Sequence, residues 1–137
     1  MRNYRITMLD DIEEAREIHK LAFPDDKWAG DHHTFWVARA AGGEVAGFCS
    51  AVLWEKTNSV FLSRAAVARF ARGTLLHRQM IRTRVRWAKA QGAHQVVTYT
   101  LLKNYPSMIN LLHCGFRFYT PSDLWEGKNV HYFRKTV

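Results

Sequence analysis

The chain has 137 residues, 47% of them hydrophobic and 13% aromatic, which is enough apolar material for the core of one domain over residues 1–137. Twenty Lys and Arg against twelve Asp and Glu leave a net charge of +8, which suits an anionic partner (nucleic acid, an acidic protein or a phosphorylated cofactor) or a solvated basic surface. No apolar run approaches the ~20 residues of a membrane span and the first residues carry no signal-peptide core, so a membrane role is excluded and the cytoplasm is the expected location, with Cys49 and Cys114 as free thiols.

In chain order, "YRITM" (4–8) alternates and predicts a strand. Asp10 and Asp11 then offer caps to "IEEAREIHKLAF", where Ile12, Ala15, Ile18 and Ala22 recur at helical spacing and Pro24 stops the run. Residues 25–33 predict a loop or one short helix. "TFWVARA" and "EVAGFCSAVLW" around "AGG" predict a hairpin, and "SVFLSRAAV" (59–67) the next strand of a meander, the fourth in all. A long helix is expected from about Thr74 to Gln91, closed by Gly92. "HQVVTYTL" (94–101) is β-branched and short, a fifth, buried strand. "PSMINLLHC" predicts a short helix with Pro106 in its first turn, followed by the strands "FRFYT" and "NVHYFRKT". The strand–helix–strand unit in the middle requires two parallel neighbours within an otherwise antiparallel sheet, so the fold class is mixed α/β, of α+β type.

The stretch "ARFARGTLLHRQM" (68–80) runs from a strand end into a helix start. Backbone N–H groups at a helix N-terminus lack partners and the helix dipole favours negative charge there, so Arg69, Arg72 and Arg78 surround a natural anion site. Downstream, "NYPSMINLLHCGF" places Asn104 eleven residues before Gly115.

Together these two segments resemble the GNAT superfamily of acetyl-CoA-dependent N-acetyltransferases. The family segment V-x-P-x-x-R-G-x-G-x-G is matched at Val67, Arg72 and Gly73; Arg69 stands where Pro is usual, and Leu75 and His77 where Gly is usual. The segment N-x-x-A-x-x-L-Y-x-x-x-G-F is matched at Asn104, Gly115 and Phe116, with Ser107 as the small residue, and departs at Asn110 and Leu111. The resemblance implies a GNAT-type fold: a mostly antiparallel sheet with one parallel pair, splayed between its fourth and fifth strands, with helices on both faces. It implies acetyl-CoA as cofactor, with its pyrophosphate on the backbone of Arg72, Gly73, Thr74, Leu75, Leu76 and His77 and assistance from Arg78. It also implies main-chain contacts from Ala65, Ala66 and Val67 to the pantetheine arm. Asn104 and Ser107 would line the other side, and Asn104 equally fits a helix cap. A side chain at 75 or 77 removes no N–H, and a charged His77 would add a donor.

Two usual chemical handles are absent. The Tyr that many members use as general acid is replaced here by Leu111, and "SVFLSRAAV" carries no carboxylate base. Tyr99, His32, His33 and Ser63 are the remaining candidates; Tyr99 also fits core packing, and the two histidines a solvated loop beside Asp31. No His/Cys spacing suggests a metal. Arg78, Arg82, Arg86 and Lys89 form a basic stripe on the long helix, opposite the inward positions His77, Ile81, Val85 and Ala88; the stripe fits solvent, nucleic acid or an acidic protein. The expected function is N-acetyl transfer from acetyl-CoA to a small amine, a protein lysine or an N-terminus. The alternative is the same fold serving as a binding module for CoA, nucleic acid or an acidic protein.

Overall fold

In a computed structural model describing residues 3–137, seven strands form one sheet in the order β1-β2-β3-β4-β5-β7-β6. β1 (Arg5–Leu9) starts one residue later than its alternation predicts. α1 (Ile12–Ala22) begins where expected, because the Asp11 carboxylate accepts from Glu13 N at 2.9 Å. Residues 25–33 contain no helix and run as a loop. β2 (Thr34–Arg39), β3 (Val45–Trp54) and β4 (Ser59–Val67) form the antiparallel meander. Residues Ala46 to Ala51 of β3 are buried without alternation, because helices cover both faces of the sheet there.

The crossover from β4 carries a single 3-10 turn (Arg69–Ala71) and then α2 (Leu76–Ala90). α2 starts two residues later than predicted because Gly73 and Leu75 both take left-handed conformations, with φ of 76° and 66°. β5 (Gln95–Leu101) follows, then α3 (Tyr105–His113), β6 (Arg117–Tyr119) and β7 (Val130–Thr136). β4 and β5 are the parallel pair, with Ser59, Val60 and Phe61 facing Gln95, Val96 and Val97. Beyond that point β4 pairs only with β3 and β5 only with β7, so the two strands diverge into a wedge.

A bulge sits at the mouth of the wedge. Cys49 faces Ala65 and Ala51 faces Leu62, so two residues of β4, Ser63 and Arg64, oppose one of β3, Ser50. Bulges bend the strand that carries them, and this one bends β4 where it parts from β5. Its backbone groups find side-chain partners: Arg64 N donates to Ser50 Oγ at 3.1 Å, and Arg84 Nη1 donates to Ser50 O at 3.1 Å and Arg64 O at 3.4 Å.

α2 and α3 cover one face over a core that includes Leu76, Met80, Ile81, Val85, Leu111 and Phe133. α1 covers the other with Ala15, Phe35, Val37 and Phe48, joined by Trp28 stacked on Phe35. The same face beyond α1 is roofed by the loop before β7, whose Trp125 packs edge-on against Trp54, Phe61, Tyr99 and Tyr132. Cys49 and Cys114 are buried thiols.

Gly47 brings α2 close to β3. A Cβ there would lie 3.0 Å from Met80 Sδ, 3.1 Å from Leu76 Cδ2 and 3.2 Å from Ala66 O, and the last is backbone that cannot swing away. Gly47→Ala is expected to destabilise the fold by about 1–3 kcal/mol in urea unfolding; an unchanged midpoint would show that the helix and sheet have slack.

α2 and α3 are joined through Asn110, whose Oδ1 accepts from Arg78 Nε at 2.8 Å while its Nδ2 meets His77 Nδ1 at 3.1 Å. Arg78 is therefore partly buried and committed, not an open member of the basic stripe. The amide orientation makes His77 Nδ1 the acceptor and leaves its proton on Nε2. Burial and the charge of Arg84 lower the His77 pKa from 6.5 to about 4. His77 is thus neutral, so the donor that a charged His77 would add is not present. Between about pH 6.5 and 4 the unfolded chain takes up this proton and the fold does not, so stability falls as pH drops through that window. His77→Gln should flatten that part of the slope in urea midpoints measured across pH; a slope unaltered by the substitution would assign it to other groups.

Candidate acyl-transfer cleft

The wedge between β4 and β5 opens as a cleft of about 260 Å³. Ser63, Arg64 and Ala65 line it from β4, and Thr98, Tyr99, Thr100 and Leu101 from β5. His77, Ile81 and Arg84 line it from α2, and Asn104, Ser107 and Leu111 from α3 and its cap. Of the site residues that sequence reasoning singled out, Ser63, Ala65, His77, Tyr99, Asn104 and Ser107 thus meet in one place. Ala65, Ala66 and Val67 use one backbone edge on β3 and turn the other, unpaired, toward the wedge.

The loop at the cleft's outer end is built from backbone. Among the described residues, the N–H groups of residues 73–78 donate to no acceptor: the first helical bond outside α2 runs from Gln79 N to Leu75 O, and Arg72 N turns back to Arg69 O. No acidic side chain occupies the first turn of α2, and Arg72 is exposed beside it. Six consecutive free donors at a helix N-terminus form a cradle for phosphate oxygens. Leu75 replaces a family glycine yet keeps a glycine conformation, and the residue is 52% exposed. This residue holds the left-handed backbone at a cost of about 1–2 kcal/mol.

Asn104 is the α3 cap, its Oδ1 accepting from Ser107 N at 3.4 Å, and it also lines the cleft. Leu111 is buried in the cleft wall.

Of the candidate proton carriers, the fold brings two together. His33 Nδ1 lies 2.8 Å from Ser63 Oγ, and Ser63 Oγ lies 2.6 Å from Ser50 Oγ. With Arg64 N donating to Ser50, the hydroxyls order as a chain ending on His33 Nδ1. Burial, then the charge of His32, lowers the His33 pKa, so the imidazole is neutral near pH 7. His32 is exposed and edge-on to His33. Asp31 orients neither histidine. It takes the Trp28 indole N–H at 2.9 Å and pairs with Arg16, and these bonds hold its carboxyl below the usual range. Tyr99 both packs, stacked near Phe61, and lines the cleft. Burial, followed by the Glu126 carboxylate, raises its pKa, so it stays protonated.

Among the residues that escaped the sequence reading are Asp26, Thr100 and Arg84, which line the cleft, and Ser50, which hydrogen-bonds to Ser63. Arg84 left a signal, since it lies three residues after Ile81 and seven after His77 on the inward face of α2, where a charged residue is unexpected. Ser50 left none, because its role depends on the bulge. Arg82, Arg86 and Lys89 are exposed on the outside of α2, away from the cleft. Among the described residues no group of three or more His, Cys, Asp or Glu is placed to hold a metal, and no helix is long and apolar enough to cross a membrane.

The fold is shared widely among solved structures. An IAA acetyltransferase from Bacillus cereus superposes with a TM-score of 0.79 at 18% identity, over 98% of this chain and 100% of that one. A nourseothricin acetyltransferase gives 0.75 at 17% over 97% and 98%, and a Bacillus subtilis acetyltransferase in complex with CoA gives 0.76 at 18% over 98% and 99%. No curated protein sequence matches significantly. Residues 4–116 match the acetyltransferase (GNAT) family in sequence, and with the splayed β4–β5 wedge and the open phosphate cradle this shows that the chain belongs to the GNAT acetyltransferase family.

Proposed function

We propose that this protein is an N-acetyltransferase that passes the acetyl group of acetyl-CoA directly to an acceptor amine. The family uses acetyl-CoA. The observation that carries the reading is the run of six unpartnered N–H groups at 73–78, which opens beside the unpaired edge of β4 in one cleft. When bound, acetyl-CoA supplies an activated thioester: a C–N bond to the amine forms as the C–S bond breaks, and the proton lost by the amine is balanced by one gained by the CoA thiolate.

The chain's own residues divide the remaining tasks. Residues 72–78 receive the pyrophosphate on backbone N–H groups, with the Arg72 guanidinium free to add charge-assisted bonds. Ala65, Ala66 and Val67 take the pantetheine arm as an added strand on β4 and leave room for the acyl group. Asn104 and Ser107 close the far wall. Ser63 faces the cleft and His33 stands behind it. As the amine attacks, Ser63 accepts its proton while passing its own to His33 Nδ1, which is neutral and ready for it. Tyr99, kept protonated, holds a proton at the cleft for the leaving thiolate in place of the hydroxyl that Leu111 lacks. Among the described residues, Asp26 is the one carboxylate lining the cleft, and it suits a cationic amine approaching its mouth.

Titration calorimetry with CoA tests the first half: micromolar binding is expected, and no binding at millimolar CoA would remove the reading. Leu75→Gly should relieve the left-handed strain and let the backbone approach the phosphates, so CoA should bind more tightly; weaker binding would show that the Leu75 side chain itself contributes. Ser63→Ala and His33→Gln should each lower kcat roughly 10²-fold with little change in CoA affinity. His33→Gln should also remove an acid limb of the pH–rate profile lying below pH 6.5, because the imidazole must be neutral to accept the proton. A retained limb and rate would exclude this relay.

A further inference from the structure

Acetyl transfer leaves one buried charge without a task. Arg84 is 2% exposed, deep in the cleft wall. Its Nε donates to Met80 O at 3.2 Å and its Nη1 to Ser50 O and Arg64 O, whereas Nη2 donates to no described residue. Carbonyls satisfy N–H groups but do not neutralise a cation, and a buried cation without an anion is costly. Among the described residues no carboxylate pairs with it. The acidic groups whose charge reaches it are the thiols of Cys49 and Cys114, both kept protonated by burial. A neutral amide at position 84 could have served these carbonyls without that cost.

A second observation points the same way. Thr100 Oγ1, on a residue 4% exposed, lines the same cleft and has no hydrogen-bond partner. The position is also informative. His77, Ile81 and Arg84 follow one another along the cleft face of α2, and Arg84 lies about 13 Å along the helix from Leu75 at 1.5 Å per residue. Arg84 thus stands at the inner end of the path that starts at the phosphate cradle. It stands on the α2 side of the sheet, opposite the side from which His33 reaches Ser63.

We propose that this inner end is a carboxylate site and that the acyl donor is the CoA thioester of a dicarboxylic acid, its free carboxylate held by Arg84 Nη2 and Thr100 Oγ1. The proposal rests on the acyl-CoA reading above and names the acyl group within it. A carboxylate on the acceptor would present the same chemistry; the location on the cofactor side of the sheet assigns it to the acyl chain.

The test is calorimetry of the whole protein with CoA, acetyl-CoA and succinyl-CoA, followed by transfer assays on an amine panel. Succinyl-CoA is expected to bind at least about tenfold more tightly than acetyl-CoA, the effect of a charge-assisted bond pair. Arg84→Gln, which keeps a neutral donor for the carbonyls, should abolish that preference, read as the ratio of succinyl-CoA to acetyl-CoA affinity within the variant itself. Arg84→Lys should retain part of it, and Thr100→Val, which leaves the guanidinium in place, should reduce it. Equal or weaker binding of succinyl-CoA by the unaltered protein would overturn the proposal, as would an Arg84→Gln variant weakened equally toward all three ligands. A preference for amino acids over their amides as acceptors, lost in Arg84→Gln, with no preference between the thioesters, would move the carboxylate to the acceptor and overturn the acyl assignment. Failure to bind CoA itself would remove the acyl-CoA reading and this one with it.

Discussion

The bulge at Ser63–Arg64 is the constraint on which the site depends. A continuous β4 would pair with β5 along its length and leave no cleft; the extra residue bends β4 away after Phe61. The bulge leaves backbone groups of Ser50 and Arg64 outside the ladder, and such groups are not tolerated unpaired in a buried layer. Ser50 Oγ and the Arg84 guanidinium supply the missing partners from the two sides. The residues that make the wedge possible are therefore also residues that line it or abut it.

This arrangement divides the chemistry between the two faces of the sheet. On the α2 face lie the N–H cradle, Asn104, Ser107 and the inner cation; on the α1 face lie Phe35, His33 and the loop in which Trp28 holds Asp31. The bulge is where the faces communicate. Ser50 reaches Ser63 with its hydroxyl, and through it His33, and accepts from Arg84 with its carbonyl. A proton relay on one side and a cation on the other are thus linked through one residue, so displacement of the guanidinium also displaces the relay.

Much of the fold was legible in the sequence because its signals are local. Asp11 caps, Pro24 stops, Gly92 ends a helix, and strand–helix–strand spacing dictates the parallel pair. The cradle was legible for a related reason: it is made of backbone, so its place follows from the strand-to-helix junction even where the glycines are gone. The late start of α2 was not legible. Nothing about Leu75 as a residue type announces φ of 66°; the surrounding fold imposes it. Likewise, Arg78 reads as a member of the exposed stripe, yet Asn110 claims it; Arg84 falls on the inward face, but its partners at the bulge could not be read from spacing. The pairing of His33 with Ser63, thirty residues apart, depends on the β2–β3–β4 meander and could not be read from spacing.

The absence of a tyrosine at position 111 takes on a different meaning in this setting. Leu111 is a core residue as well as a cleft residue, packed in the layer that includes Ile81, Val85 and Phe116. Arg84, His77 and Thr100, all of them able to donate hydrogen bonds, line the same cleft. Leucine keeps that wall apolar and leaves the donors to face the ligand. In the proposed mechanism the proton functions move outward, to Tyr99 on β5 and to the Ser63–His33 pair, whose groups are only partly buried and can exchange with solvent. A cleft with fixed charge at its inner end and proton carriers at its rim separates recognition from proton transfer, and the departures from the family pattern at 75, 77 and 111 are consistent with that separation.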